Sequence, residues 1–338
     1  MIAMPHLSTR GNGFCRICGN AEGNREFTAR EMMFGLREEF GYFECAACGC
    51  VQIAELPADL SRYYPADYYA HSPPKHISAR PWRQYLRRSR TLHMMGRDSV
   101  AGAIITRLRG PTNIPEWLLE TRTSLEARVL DVGCGSGHFL VRMSEWGFTH
   151  LTGVDPYLPR RSVIGCVTLL RQSVASLEGA FDLIVFNHSF EHDASPRETL
   201  QHAARLLAPK GTVVIRIPVA DSYAWRTYGS NWAQLDAPRH AFLHTRKSMA
   251  LLAENADLQL ARVIHDSFSF QFWGSEQYLR DIPLVHPQSQ RSSPEQSLFS
   301  DHEMAEFARR SAELNRAGDG DQASFYLRHK SASSESDH

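Results

Sequence analysis

The chain has 338 residues, 43% of them hydrophobic and 22% charged, the composition of a globular protein with room for about two domains. Lys+Arg and Asp+Glu both number 37, so no global charge points to nucleic acid or to an anionic membrane as a partner. No run of about 18 apolar residues occurs, which excludes a spanning helix, and the opening M-I-A-M-P-H-L-S-T-R lacks the apolar core of a secretory signal.

Residues 1–12 read as a loose tail. Then come Cys15-Arg16-Ile17-Cys18-Gly19 and Cys45-Ala46-Ala47-Cys48-Gly49, with 26 residues between Cys18 and Cys45. In each, two thiolates can reach one ion, and the glycine permits a tight turn beneath them. Two such knuckles supply the four sulfur ligands Cys15, Cys18, Cys45 and Cys48 of a closed, structural Zn2+ site that holds fold rather than performs chemistry. A redox C-x-x-C and unpaired structural cysteines are the rival readings; Cys50 is a substitute ligand or a bystander. Phe40, Tyr42 and Phe43 suit a strand entering the second knuckle. Residues 1–56 thus read as a zinc-ribbon-like module, and cysteines used this way point to a reducing, cytoplasmic setting.

Residues 57–127 read as a linker and helical segment, partly basic. Tyr63-Tyr64-Pro65-Ala66-Asp67-Tyr68-Tyr69 and Pro73-Pro74 suggest an ordered crossing segment packed on the next domain. From Lys75 to Arg109, nine Lys/Arg stand against one acid, Asp98. Trp82, Tyr85, Leu86 and Leu92 give part of this stretch a helical apolar face. It is either a solvated helix face or a surface that receives a phosphorylated substrate.

From 128 to 330, apolar runs alternate with helical patterns, the mark of a parallel sheet covered on both faces. Strands are predicted at 128–132, 150–154, 166–170, 181–186 and 212–217. Val129 to Gly137, V-L-D-V-G-C-G-S-G, is a strand that breaks into glycines, and His138 to Trp146 then takes helical spacing with Gly147 as its stop. Ser195, Pro196 and Glu198 predict a capped helix start, and Pro209-Lys210-Gly211 its stop. Two more apolar stretches, 258–268 and 323–328, flank a polar, helical insert at 276–320. Residues 331–338 read as disordered.

Asp155 ends the second strand in G-V-D-P, where a carboxylate accepts both hydroxyls of a ribose. Nicotinamide enzymes place an acid similarly, but their G-x-G-x-x-G fingerprint fails here: the third glycine comes one residue early. Asp131, just before the loop, suits a ligand with a positive amino group and no pyrophosphate.

D-V-G-C-G-S-G, then G-V-D-P, then F-D-L-I-V-F-N-H-S-F-E-H, then L-A-P-K-G-T-V-V-I together resemble a class I S-adenosylmethionine-dependent methyltransferase. The resemblance implies an α/β, Rossmann-like sheet of seven strands, mostly parallel with the last antiparallel, beside the small N-terminal zinc ribbon. It implies that Asp131, Gly133, Cys134, Gly135 and Gly137 surround the methionyl part of S-adenosyl-L-methionine. Asp155, with Pro156, would hold the ribose, Gln172 and Ser173 flank the adenine, and Asn187 and His188 lie near the sulfur. Many members carry an acid at the adenine position, and this chain does not. The zinc module, Y-Y-P-A-D-Y-Y and W-A-Q-L-D-A-P-R-H-A-F-L-H-T at 232–245 are together similar to bacterial methyltransferases of sugar and natural-product pathways. This implies a small-molecule acceptor, including nucleotide-linked sugars.

A sulfonium methyl is already activated, so the protein must align an acceptor and, where needed, take its proton. Two loops at the mouth of the sheet offer bases: His192, after Glu191, and Asp236, Arg239 and His240. His240 or His192 is expected to take the proton, with Asp236 orienting it; an Asp236–Arg239 pair would make the second group structural. Tyr223, Trp225, Tyr228 and Trp232 are expected to cover the acceptor with aromatic faces. The alternative is an RNA methyltransferase gripping nucleic acid through the zinc module and the arginines. Against it stand the net charge of zero and N-H-S-F in place of [D/N]-P-P-[Y/F].

Overall fold

Glycines with positive φ, Gly19 and Gly49, turn the chain beneath each C-x-x-C pair and let it return as a short antiparallel meander. Its strands are β1 (Arg25–Arg30), β2 (Glu39–Glu44) and β3 (Val51–Ile53). The structure, a computed structural model, describes residues 14–64, 81–293 and 298–330. The expected tails at 1–12 and 331–338, the segment Pro65 to Tyr69, Pro73-Pro74, and Lys75 and Arg80 of the basic stretch lie outside the described residues.

Three helices follow: α1 (Pro81–Met94), α2 (Val100–Arg109) and α3 (Glu116–Leu119). The first two pack closely because Gly102 carries no side chain; a Cβ there would collide with the Ser89 carbonyl. Next come β4 (Arg128–Val132), α4 (His138–Glu145), β5 (His150–Val154), β6 (Ser162–Ile164), β7 (Val167–Leu170) and β8 (Phe181–Asn187). They lead into α5 (Pro196–Leu206), β9 (Leu207–Pro218), α6 (Tyr223–Tyr228), β10 (Phe242–Leu243) and α7 (Arg246–Asn255). The chain closes with β11 (Leu258–His265), α8 (Phe270–Leu279), α9 (Asp301–Ala317) and β12 (Gln322–His329). The two last helices make up much of the insert between the last two strands.

The large sheet has the order β11-β12-β9-β8-β4-β5-β7-β6. From β9 to β7 the neighbours are parallel, and β12 lies antiparallel between β9 and β11. The seven expected strands are present, and β6 adds an eighth by folding back antiparallel on β7. Alternation along β8 serves both faces: Leu183 and Val185 join the core under α4, while Ile184 and Phe186 join the core on the other side. That second core is continuous with Ile17, Tyr42, Phe43, Val51 and Ile53 of the N-terminal module. The module is also joined through backbone, since β10 pairs with β3 and extends the small sheet to four strands.

Local details differ from the sequence pattern in three places. Pro209-Lys210-Gly211 does not follow a helix into a loop; it bulges within β9, where Phe181 and Leu183 pair with Leu207 and Thr212. Ser195 makes no side-chain cap; Asp193 Oδ1 instead accepts the Ser195 N–H at 2.8 Å, because its carboxylate already lies under the turn. β11 stops at His265, since Asp266 turns to pair with Arg216. No helix among the described residues is long and apolar enough to cross a membrane.

Candidate functional site

The two knuckles bring four thiols together. Cys15 Sγ lies 3.6 Å from Cys48 Sγ, Cys18 Sγ lies 3.5 Å from Cys45 Sγ, and all four fall within 4.8 Å of one another. A tetrahedron with Zn–S arms of about 2.3 Å has edges of roughly 3.8 Å, so the four sulfurs fit that ion's coordination. Gln52 donates to Cys15 Sγ at 3.1 Å and the Cys48 N–H to Cys45 Sγ at 3.5 Å, as donors around thiolates do. Cys50 stands apart from this set, with its Sγ 4.0 Å from His244 Nδ1.

The second centre is the crevice at the carboxyl ends of β4 and β8, where the strand connections diverge to opposite sides. The glycine loop is folded onto β5. Gly133 N–H donates to the Val154 carbonyl at 2.8 Å and Gly135 N–H to Asp155 Oδ2 at 3.0 Å, while Asp155 Oδ1 accepts from Tyr157 N–H at 2.8 Å. Gly133 has φ of 74° and its Cα lies against Ser189, so any side chain there would be both strained and crowded. Ser189 Oγ in turn donates to the Val132 carbonyl at 2.6 Å, tying the loop after β8 to the loop after β4. Buried Asp131 is pushed up to about 7 by loss of hydration and by the Asp155 charge. A ligand's ammonium beside it would restore the ionised form. The Ser136 hydroxyl is buried in this loop without a hydrogen-bond partner. Glycine backbone, an orphaned hydroxyl and two carboxylates fit the amino-acid and ribose ends of S-adenosylmethionine.

The third centre follows directly along the chain. Arg216 Nη1 donates to Asn187 Oδ1 at 3.2 Å and to His188 Nε2 at 2.7 Å. Arginine cannot accept, so His188 carries its proton on Nδ1, which faces Glu191 Oε1 at 3.3 Å. Glu191 is fully buried. His192 Nδ1 donates to the Arg239 carbonyl at 2.9 Å, and His240 Nδ1 donates to the Gln234 carbonyl at 2.8 Å. Carbonyls only accept, so both rings keep their lone pair on Nε2. His240 Nε2 is 3.9 Å from Glu191 Oε1 and 3.8 Å from Asp236 Oδ2. Burial, and then the neighbouring His192, push the His240 imidazole down to about 4. At neutral pH it is uncharged.

Arg239 makes the frame for this cluster. It is 1% exposed and grips Asp236 through Nη2 at 2.6 Å and Nε at 2.9 Å, and Glu31 of the N-terminal module at 2.9 Å. Burial alone would raise the Asp236 carboxyl, but Arg239 holds it down at about 2. Tyr42 adds a hydrogen bond from the module to the His240 carbonyl at 2.9 Å. The loop bearing His240 is therefore clamped by the cysteine-bearing module.

Residues 97–263 match the family model described as a methyltransferase domain. This segment is a methyltransferase domain. The chain is 31% identical over 106 residues to a tRNA U34 carboxymethyltransferase of Syntrophotalea carbinolica, covering 28% of this chain and 33% of that protein. It is 32% identical over 109 residues to a ubiquinone biosynthesis O-methyltransferase of a Caulobacter species, covering 28% of this chain and 42% of the relative. The chain thus spans less than half the length of these relatives. A solved structure of an S-adenosylmethionine-dependent methyltransferase from Mesorhizobium loti aligns over 60% of this chain and 91% of its own, at 14% identity and a TM-score of 0.38.

Within the methyltransferase domain, Asp131, Gly133, Cys134, Gly135, Gly137 and Asp155 stand at one crevice, with Asn187 and His188 on its far lip. Pro156 is exposed behind Asp155, and Gln172 and Ser173 follow β7 beside it. Burial pushes the Cys134 thiol well up, as suits a packing group. Gly153 lies beneath the loop, since a Cβ there would come 2.6 Å from Cys134 Sγ. Glu31, Ser189, Arg216 and Gly153 are partners that motif spacing does not reveal. The aromatic run is a correction. Trp225, Tyr228 and Trp232 are buried rather than lining a cover, and Trp232 Nε1 donates to the buried Asp321 at 2.8 Å. Apolar area went into the core, where it gains most.

Two arginines of the basic stretch have internal partners. Arg88 donates to the Gly147 carbonyl at 3.1 Å and pairs with Glu126; Arg90 binds the carbonyls of Arg109 and Gly110. A cavity of about 310 Å³ lined by Arg87, Arg90, Arg142 and Trp146 lies at the last turn of α4. The glycine loop is at that helix's first turn.

Proposed function

We propose that this protein transfers a methyl group from S-adenosylmethionine to a small-molecule acceptor, a nucleotide-linked sugar or another glycan or natural-product intermediate, in the cytoplasm. The observation that supports it is the junction of the crevice with the Glu191–His192–His240 cluster through Ser189, which packs on Gly133. S-adenosylmethionine supplies the methyl on a sulfonium that needs no further activation. The chain's own part is to hold the methionyl end with Asp131 and the glycine loop, the ribose with Asp155, and the acceptor at the cluster, where His192 or His240 removes its proton. Cys15, Cys18, Cys45 and Cys48 hold a structural zinc that keeps the clamp on the His240 loop in place. A buried cluster closed by a protein module suits a small acceptor better than a duplex.

The test is turnover of labelled cofactor against a panel of nucleotide sugars, with His192→Ala and His240→Ala beside the parent protein. Loss of a general base typically costs about 10²–10⁴-fold in rate. Near-normal turnover in both variants refutes the assignment of the base. The tRNA-modifying relative favours RNA as a second acceptor class. RNA retained at low salt and released at high salt, with methylated nucleotide as product, would establish that class instead.

A further inference from the structure

Glu191 is buried in the methyltransferase site with both carboxylate oxygens lacking a hydrogen bond of good geometry. What stands near it is short of donors. Among the described residues, the one donor facing it is the Nδ1–H of His188, 3.3 Å from Oε1. His192 and His240 have each committed Nδ1–H to a backbone carbonyl, which leaves a lone pair on the other nitrogen. Nearby Asp236 is a second carboxylate, already paired with Arg239. One ligand atom from each of Glu191, His192 and His240 falls within 4.8 Å of the others. A carboxylate and two imidazole lone pairs gathered around a single long contact from the His188 Nδ1–H repel one another unless something positive stands between them.

We propose that Glu191, His192 and His240 bind a divalent first-row cation. The donor set of one carboxylate oxygen and two imidazole nitrogens suits Mn²⁺, Fe²⁺, Co²⁺ or Zn²⁺, and is distinct in chemistry from the four thiols of the N-terminal module. The Gln234 and Arg239 carbonyls fix the tautomer of each ligating ring, the usual outer partner of a metal-bound histidine. Donors about 2.1 Å from one ion stand roughly 3–3.5 Å apart, against 3.9 Å between His240 Nε2 and Glu191 Oε1 and at most 4.8 Å within the group. Three protein ligands would leave coordination positions for an oxygen of the acceptor; with the ion bound both imidazole lone pairs are taken, so polarisation by the ion, which lets the acceptor's proton pass to solvent, would stand in place of a histidine base. Arg216 acts on the site through His188 as a positioning residue.

The inference rests on the methyl-transfer function above for its purpose, but not for its test. Zinc-loaded protein is titrated with Mn²⁺ and the free-ion electron paramagnetic resonance signal is followed; Co²⁺ absorption provides a second probe. The thiolate site does not compete for Mn²⁺, which prefers harder ligands. One Mn²⁺ or Co²⁺ per chain is expected, with binding weakened by about tenfold or more in Glu191→Gln and in His240→Ala. Thermal melting of both variants shows that they fold, and His192→Gln serves where either does not. Binding of neither ion, or equal binding by folded variants, overturns the metal site. Failure of the parent protein to bind S-adenosylmethionine in calorimetry would instead sink the methyl-transfer function and leave the ion-binding result standing.

Discussion

Replacing Arg239 by Met keeps the volume of the side chain and removes its charge, which isolates what the guanidinium does. Its side chain and that of Glu31 are both 0% exposed, and it makes three close charged contacts, two with Asp236 and one with Glu31. Charge-assisted bonds at about 1.5–3 kcal/mol each give a gross loss of roughly 5–9 kcal/mol. The arginine no longer needs to be dehydrated on folding, which offsets part of this. The stranded carboxylates remain a cost, and breaking one partner of a buried pair costs about 3–5 kcal/mol. That is the expected loss in urea unfolding at constant m. Arg309 is the control: its pair with Glu306 is 58% and 41% exposed, and Arg309→Met should cost no more than about 1 kcal/mol. Adding Glu31→Gln to Arg239→Met should recover part of the loss, since one stranded charge is gone. Equal, small losses for Arg239→Met and Arg309→Met would refute the clamp between the module and the His240 loop.

Elemental analysis should find zinc that is lost on Cys15→Ser, with a lower melting temperature; a metal-free protein melting unchanged would remove the structural role of the four thiols. Asp155→Ala should weaken S-adenosylmethionine binding by about 1.5–3 kcal/mol in calorimetry, and because the carboxylate also closes the glycine loop, Asp155→Asn should lose less. Equal affinity in all three proteins would exclude the ribose contact. Without cofactor, Asp131 holds its proton to about pH 7 in the folded chain but only to the ordinary carboxylate range when unfolded. Folding therefore binds a proton between these limits, and stability falls as pH rises from about 4 to about 7, by on the order of 3–4 kcal/mol from this group. Asp131→Asn should abolish that part of the decline, and parallel pH–stability curves for the two proteins would contradict it.

The strands of the sheet, the glycine loop and the paired cysteines were legible in the sequence because each is a local signal. Alternation, helical spacing and a glycine's freedom act within a dozen residues, and Val129 to Gly137 carries all it needs to fold as strand and turn. The acid after β5 was legible for the same reason, at a fixed distance from the loop. What the sequence did not contain was which polar groups meet. Arg239 and Glu31 are 208 positions apart, and Tyr42 and the His240 carbonyl 198, so neither contact has a spacing to betray it. The tertiary structure alone turned Trp225 and Trp232 into the core, took the Asp236 carboxylate for Arg239, and gave His240 a backbone carbonyl as its orienting partner. It also left Glu191 among three imidazoles, of which only His188 turns its Nδ1–H toward it. Burial decides such matters, because only inside the fold must every charge and hydrogen-bonding group find its partner among whatever the topology has brought there.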